Sequence, residues 1–212
     1  MNALVLCDDQ WHPARTPRAG LNALGACGFS FDWMENAEAW SAAQLATYPL
    51  VVLTKANNVS STDYRPWMTD AVQADLLAYV RAGNSLLVIH SGTAGYLDLP
   101  VLRGLIGGAF IQHPPQCPVT VEPKANHPLT VGAAPFTLKD EHYFMAFDDP
   151  QADLFLTTTS LHGVQPGGWT RSEGAGRVCV LTPGHNVEVW LEPSFQTLLG
   201  NALRWCGREQ IK

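Results

Sequence analysis

Four short runs of nearly uninterrupted apolar residues constrain this chain more than any other feature. They are Ala3–Cys7, Leu50–Thr54, Ser85–Ile89 and Arg177–Leu181. A strand that is apolar on both faces has no solvent side, so it belongs inside a sheet covered above and below. Helical patterns separate the early runs. Arg18–Ala26 reads as a helix ending near Gly28, and Ala37–Leu45 as another. Thr69 caps a third, in which Val72, Leu76 and Val80 recur every four residues before Gly83. Phe29–Trp33 is a further strand. Strands alternating with helices predict an α/β fold, a flavodoxin-like three-layer sandwich around a mostly parallel sheet.

The second half reads as less regular and β-rich. Val119–Glu122, Phe136–Leu138 and Leu154–Thr158 are strands between Pro- and Gly-rich loops. The chain closes on a helix with Ser194 at its N-cap and no capping box, since Thr197 stands three residues on. Phe195, Leu198, Leu199, Ala202, Leu203 and Cys206 form its apolar stripe, with Gly207 beyond. No internal repeat, low-complexity tract or linker divides residues 1–212, which read as one domain.

Composition excludes several classes. Hydrophobic residues make up 46% and charged ones 15%, well below the usual quarter, which rules out a disordered chain. A net charge of −6 offers no basic footprint for nucleic acid. No apolar stretch approaches the roughly 18 residues of a membrane span. The first residues lack the basic region of a secretory signal, so a cytoplasmic location is expected. Five cysteines, at positions 7, 27, 117, 179 and 206, form no C-x-x-C pair and read as reduced, structural thiols.

In open α/β sheets, ligands bind beyond the carboxyl ends of the strands. Asp8, Asp9 and His12 follow the first run, and Lys55 and Asn57 the second. His90 and Ser91 open the small-residue turn to Gly95, and Gly184-His185-Asn186 follows the last run. Four segments thus bring titratable groups to one sheet edge. Each has a plainer alternative. His90 could bond a loop carbonyl, the His113-Pro114 and His127-Pro128 pairs could form turns, and Asp140-Glu141-His142 could be a solvated loop.

The turn after Ile89 holds no cysteine, which argues against thiol-based glutamine hydrolysis, and no G-x-S-x-G is present. Neither a Walker A loop nor G-x-G-x-x-G occurs, and Asp8-Asp9 would repel a phosphate. Histidine paired with Asp or Glu suits acid–base work near neutral pH. Imidazole with carboxylate also suits zinc, manganese or iron. Because H-x-x-x-H and H-x-H spacings are missing, no cofactor is expected; a divalent metal on His12, His113 and His185 is the alternative.

Several stretches carry a resemblance in order along the chain. They are VIHSGTAGY (88–96), LIGGAFIQHP (105–114), NHPLT (126–130), KDEHYF (139–144), EGAGRVCVLTPGHN (173–186) and FQTLLGNALRWCG (195–207), preceded by the loop ending in His12-Pro13. Together the chain resembles the ThuA-like trehalose-utilisation family, a variant of the class I glutamine amidotransferase-like fold. Ser91 stands where that family often has a second glycine, and His142 where an apolar residue is expected. The resemblance implies carbohydrate utilisation, with hydrolysis or elimination of a 3-keto disaccharide supplied by a sugar dehydrogenase. On this reading His90 and His185 are the acid–base residues, with Glu141 orienting a histidine or acting as base. His12, Ser91, His113, His127, Asp140 and Tyr143 bind substrate, and Trp11 or Tyr143 stacks on the sugar. The expected partner is a small sugar, with no nucleic acid or membrane, and a homodimer stays open. The alternative is a non-catalytic sugar-binding or assembly protein that kept the scaffold and lost the cysteine nucleophile.

Overall fold

The computed structural model describes residues 1–25 and 28–211. In chain order the strands are β1 (Asn2–Leu6), β2 (Ser30–Met34), β3 (Leu50–Leu53), β4 (Ser85–Ile89), β5 (Gly108–Gln112), β6 (Cys117–Pro123), β7 (Phe136–Asp140), β8 (Phe144–Phe147), β9 (Asp153–Ser160), β10 (Gly163–Glu173) and β11 (Gly176–Leu181). The helices are α1 (Arg15–Ala23), α2 (Ala42–Leu45), α3 (Asp70–Arg81), α4 (Pro100–Ile106), α5 (Val187–Leu191) and α6 (Pro193–Cys206).

The apolar runs take the centre of a nine-stranded sheet in the order β2-β1-β3-β4-β11-β10-β9-β6-β7. Pairing is parallel from β2 through β11. It is antiparallel from β11 to β7, so the β-rich half extends the same sheet. The result is a mixed α/β protein, parallel over one half of its main sheet and antiparallel over the other. A separate ribbon of β5 and β8 stands apart from it.

Alternation along each strand divides the core into two layers. Leu4, Leu6, Val51, Leu53, Leu86 and Val88 pack with Leu76, Val80 and Leu105 on the α3–α4 side. Ala3, Val5, Val52, Leu87 and Ile89 pack with Leu21, Trp190, Phe195 and Leu199 on the α1–α5–α6 side. Each fully buried Leu, Ile or Val is worth about 1.5–3 kcal/mol, which favours apolar residues along these strands, the polar exceptions Asn2, Ser85 and Arg177 lying at their starts.

Local chemistry shifts several expected boundaries. The first helix runs from Arg15 to Ala23 because Pro17 is tolerated in a first turn, and Gly25, at φ +58°, ends it before Gly28. Ala26, the expected last residue, lies outside the described residues, as does Cys27. The helix expected over 37–45 divides into a tight turn at Ala37–Ala39, capped by Asn36, and α2, capped by Ser41 in an extended conformation. Thr69 does cap α3, accepting from Val72 N–H. Ser194 does not cap α6. Glu192 accepts from Phe195 N–H at 2.8 Å and Pro193 opens the helix, while Ser194 Oγ accepts from Ala134 N–H. Cys7, Cys117, Cys179 and Cys206 are buried free thiols, and burial pushes the Cys7 and Cys206 thiols up to about 12. Among the described residues no helix is long and apolar enough to cross a membrane.

Lys55 is buried at 1% exposure just past β3, its ammonium donating to the carbonyls of Val59 (2.8 Å) and Glu35 (3.3 Å). Burial lowers its pKa to about 8, against the pull of Asp9. Between that value and the unfolded lysine's ~10.4, the unfolded chain holds a proton the folded one has lost, so stability rises with pH. Urea unfolding of the wild type and Lys55→Met is expected to diverge in the wild type's favour by about 2 kcal/mol between pH 8 and 10. A difference that stays flat would contradict the lowered pKa of the buried Lys55.

Candidate functional site

The parallel strands end at one edge, where sharp turns lift side chains out of the sheet. After β1, Asp8 takes φ +72° and Asp9 turns inward to 1% exposure. The Asp9 carboxylate accepts from the backbone N–H of Trp11, His12 and Ala56 and from His12 Nδ1 at 2.8 Å. Burial opposes ionisation, but the His12 contact and these N–H groups hold its pKa below the usual carboxylate range. An ionised carboxylate only accepts, so His12 carries its proton on Nδ1 and presents a bare Nε2.

After β4, His90 takes φ +45° and is 1% exposed. Its Nδ1 lies 2.8 Å from the carbonyl oxygen of Thr182, which also only accepts, so Nδ1 carries a proton and in the neutral ring Nε2 is the bare nitrogen. The turn packs tightly over β3: a Cβ on Gly92 would meet Leu53 O at 2.1 Å. After β11, Gly184 at φ +129° starts the loop that carries His185. Asp140, at the end of β7, holds this loop by accepting from the N–H groups of Gly184 (2.8 Å), His185 (3.0 Å) and Asn186 (3.3 Å).

Glu141 completes the group. Its Oε2 lies 3.1 Å from His185 Nδ1 and 3.4 Å from His90 Nε2, and its Oε1 lies 3.5 Å from His113 Nε2. Burial alone would raise the Glu141 pKa, but His185 and His90 hold it well below the usual carboxylate range. Burial lowers that of His185, and Glu141 more than offsets this and raises it. The three imidazoles form a near-equilateral triangle, with ring centroids 5.0, 5.0 and 5.6 Å apart. Their ligand-capable atoms and a Glu141 oxygen lie within 4.8 Å of one another. Tyr143 stacks on His90 at 4.0 Å and Phe110 packs on Tyr143. Above the group opens a cavity of about 700 Å³, walled by Trp11, Asn57, Asn58, Phe110 and His113.

Of the residues singled out in the sequence, His12, His90, Glu141 and His185 converge, with His113 and Tyr143 beside them. His127 does not join them. Its Nε2 meets Asp153 at 2.9 Å and its ring stacks on Phe155, so it is a turn-capping residue elsewhere on the sheet. Ser91 is buried and does not line the cavity. Asp140 is a backbone anchor, all its observed contacts being with N–H groups. Of the alternative ligand trio, His12 and His185 lie in the converging group with His90 and Glu141, and His113 stands outside it. His142 turns away to Ser160 and Thr158. Sequence reasoning missed Asp9 as the residue that fixes His12, although Asp-x-x-His is legible at 9–12, and missed Thr182 and Phe110, which no local pattern marks.

Asp140→Ala would strand three N–H groups. It is expected to cost at least about 2 kcal/mol in urea unfolding and to speed amide exchange at Gly184–Asn186. Unchanged exchange there would show that Asp140 does not hold the His185 loop.

The sequence pattern of the ThuA family, described as trehalose utilisation, matches residues 2–206. No curated protein matches the chain in sequence. Among solved structures the chain is similar to a ThuA-like protein from Parabacteroides merdae, with a TM-score of 0.76 and 16% identity over 100% of this chain and 92% of that one. A ThuA-like protein from Bacteroides uniformis superposes with a TM-score of 0.73 at 20% identity, over 97% and 91% of the two chains. The fold also occurs within a β-galactosidase from Rahnella sp. R3, with a TM-score of 0.69 and 15% identity over 97% of this chain and 31% of that one. At these identities the structures speak for the fold, and the pattern spanning almost the whole chain speaks for the family: the protein belongs to the ThuA trehalose-utilisation family.

Proposed function

We propose that this protein is a carbohydrate-processing enzyme that cleaves a keto-glycoside of the trehalose type in the cavity above His12, His90, His185 and Glu141. One observation carries the reading: among the described residues Glu141 is the only carboxylate lining the cavity, and it sits among imidazoles and aromatic faces. Ordinary glycosidases need two carboxylates flanking the scissile bond. Here the remaining acids of this edge are occupied by the backbone. Asp8 accepts from Ala14 and Ser61 N–H, and Asp9 and Asp140 are held as described.

A glycoside oxidised at C3 needs no such pair. The carbonyl acidifies the C2–H bond; a base takes that proton, the C1=C2 double bond forms and the C1–O bond breaks. The departing oxygen takes a proton to leave as an alcohol, and water adding across the double bond completes hydrolysis. His113 is suited to be the base. Its Nδ1 donates to Pro114 O at 2.8 Å, leaving the Nε2 lone pair free, and Glu141 Oε1 faces the imidazolium that forms. His185, which lines the cavity and whose pKa Glu141 raises, is the cation suited to the charge that grows on the keto oxygen. Trp11 and Phe110 offer apolar faces to the sugar's C–H surface.

Turnover is expected with 3-keto disaccharides and not with the parent sugars, and His113→Ala is expected to lower kcat roughly 10²–10⁴-fold. A bound ligand at 100 times its Kd stabilises by about 2.7 kcal/mol, a rise in Tm of roughly 5–10 °C. That rise without turnover of any keto sugar would favour the sugar-binding alternative. Equal turnover of the unoxidised glycoside would overturn the keto requirement.

A further inference from the structure

Three buried nitrogen atoms at the floor of the cavity make no hydrogen bond of good geometry: His12 Nε2, and His90 Nε2 and His185 Nδ1, which have only Glu141 Oε2 near them, at 3.4 and 3.1 Å. A buried polar atom left unsatisfied is destabilising, and such atoms are rare in native proteins. Three of them aimed at one point, with a carboxylate beside them, are not an accident of packing. We infer that His12, His90, His185 and Glu141 form the seat of a single divalent transition-metal ion.

Four features support the assignment. The donors are three imidazoles and one carboxylate, a set that suits zinc, manganese, iron, cobalt or nickel and not the all-oxygen preference of calcium or magnesium. They come from four separate segments, following β1, β4, β7 and β11, so the chain has no short spacing motif to advertise them. Metal-bound histidines characteristically donate their other ring N–H to a carboxylate or a backbone carbonyl, which raises basicity and fixes the ring. His12 does so to Asp9 and His90 to Thr182 O. Finally, a tetrahedral ion with bonds of about 2.0–2.2 Å sets its ligand atoms roughly 3.3–3.6 Å apart, so a group already within 4.8 Å closes on it by small side-chain rotations.

The site opens on the cavity through His12, Glu141 and His185, so a substrate oxygen can reach the ion. The use made of the metal rests on the keto-sugar reading: as a Lewis acid it would hold the keto oxygen and the enolate charge while His113, outside the ligand set, moves the proton. Binding of the metal does not rest on that reading.

The test uses the full chain without substrate. Chelator-stripped protein is titrated with cobalt(II) and, separately, zinc(II), following the visible absorption of cobalt, metal content and Tm. About one equivalent per chain, with a cobalt spectrum of nitrogen and oxygen ligation and a rise in Tm, is expected. His12→Ala and His90→Ala are expected to lose that spectrum. Asp9→Asn is expected to weaken affinity roughly 10–100-fold while leaving the metal-free protein folded by circular dichroism. His127→Ala, whose histidine lies elsewhere, is expected to bind as the wild type does. No stoichiometric binding, or binding unchanged in the folded Asp9→Asn and His90→Ala variants, would overturn the inference. The two readings fail separately. Keto-sugar turnover by protein that takes up no stoichiometric metal removes the metal and keeps the activity, whereas stoichiometric metal with no turnover keeps the metal and removes the activity.

Discussion

Two hydrogen bonds set the chemistry of this protein: His12 Nδ1 to the Asp9 carboxylate and His90 Nδ1 to the carbonyl oxygen of Thr182. Both acceptors lack a proton of their own, so each bond dictates which ring nitrogen is protonated and turns the other, bare, toward the same point. Without them the imidazoles could rotate or exchange protons, and the cavity floor would be a set of adaptable polar groups. With them it is a fixed array of electron pairs beside Glu141.

Holding that array requires backbone that ordinary strands do not supply. The strands β1, β4 and β11 each run into a left-handed residue shortly after their ends: Asp8 at φ +72°, His90 at φ +45° and Gly184 at φ +129°. For Asp8 and His90, which carry a Cβ, such conformations cost about 1–3 kcal/mol each and persist only where the surroundings impose them. The surroundings do. Asp8 is bonded to Ala14 and Ser61, the turn after His90 is pressed onto Leu53 O at Gly92, and the Gly184 loop is clamped by Asp140 and by Trp190 Nε1 donating to Gly184 O at 2.7 Å. The two packed layers of the sheet supply the stability that offsets this strain.

The parallel half of the sheet was legible because burial on both faces leaves continuous apolar runs, as in Leu50–Leu53 and Ser85–Ile89. β10 was not, since Pro166, Gly167 and Gly168 interrupt it with a register shift that local pattern reads as a loop. Within the site, residues directly following the parallel strands could be placed from strand ends alone, and His12, His90 and His185 were. Glu141 could be listed but not positioned, because its place depends on β7 pairing with β6 at the far side of the sheet. His113-Pro114 and His127-Pro128 look alike in sequence. Only tertiary structure separates them, since β5 delivers His113 to the cavity whereas His127 is held by Asp153 at the start of β9.

The most direct test of this account is the tautomeric state of the two fixed histidines in metal-free protein, read from long-range ¹⁵N–¹H correlation spectra and assigned with single His→Gln variants. The account predicts a proton on Nδ1 and a bare Nε2 for both His12 and His90. A proton on Nε2 of either ring would contradict it, because the electron pairs that define the site would then be absent.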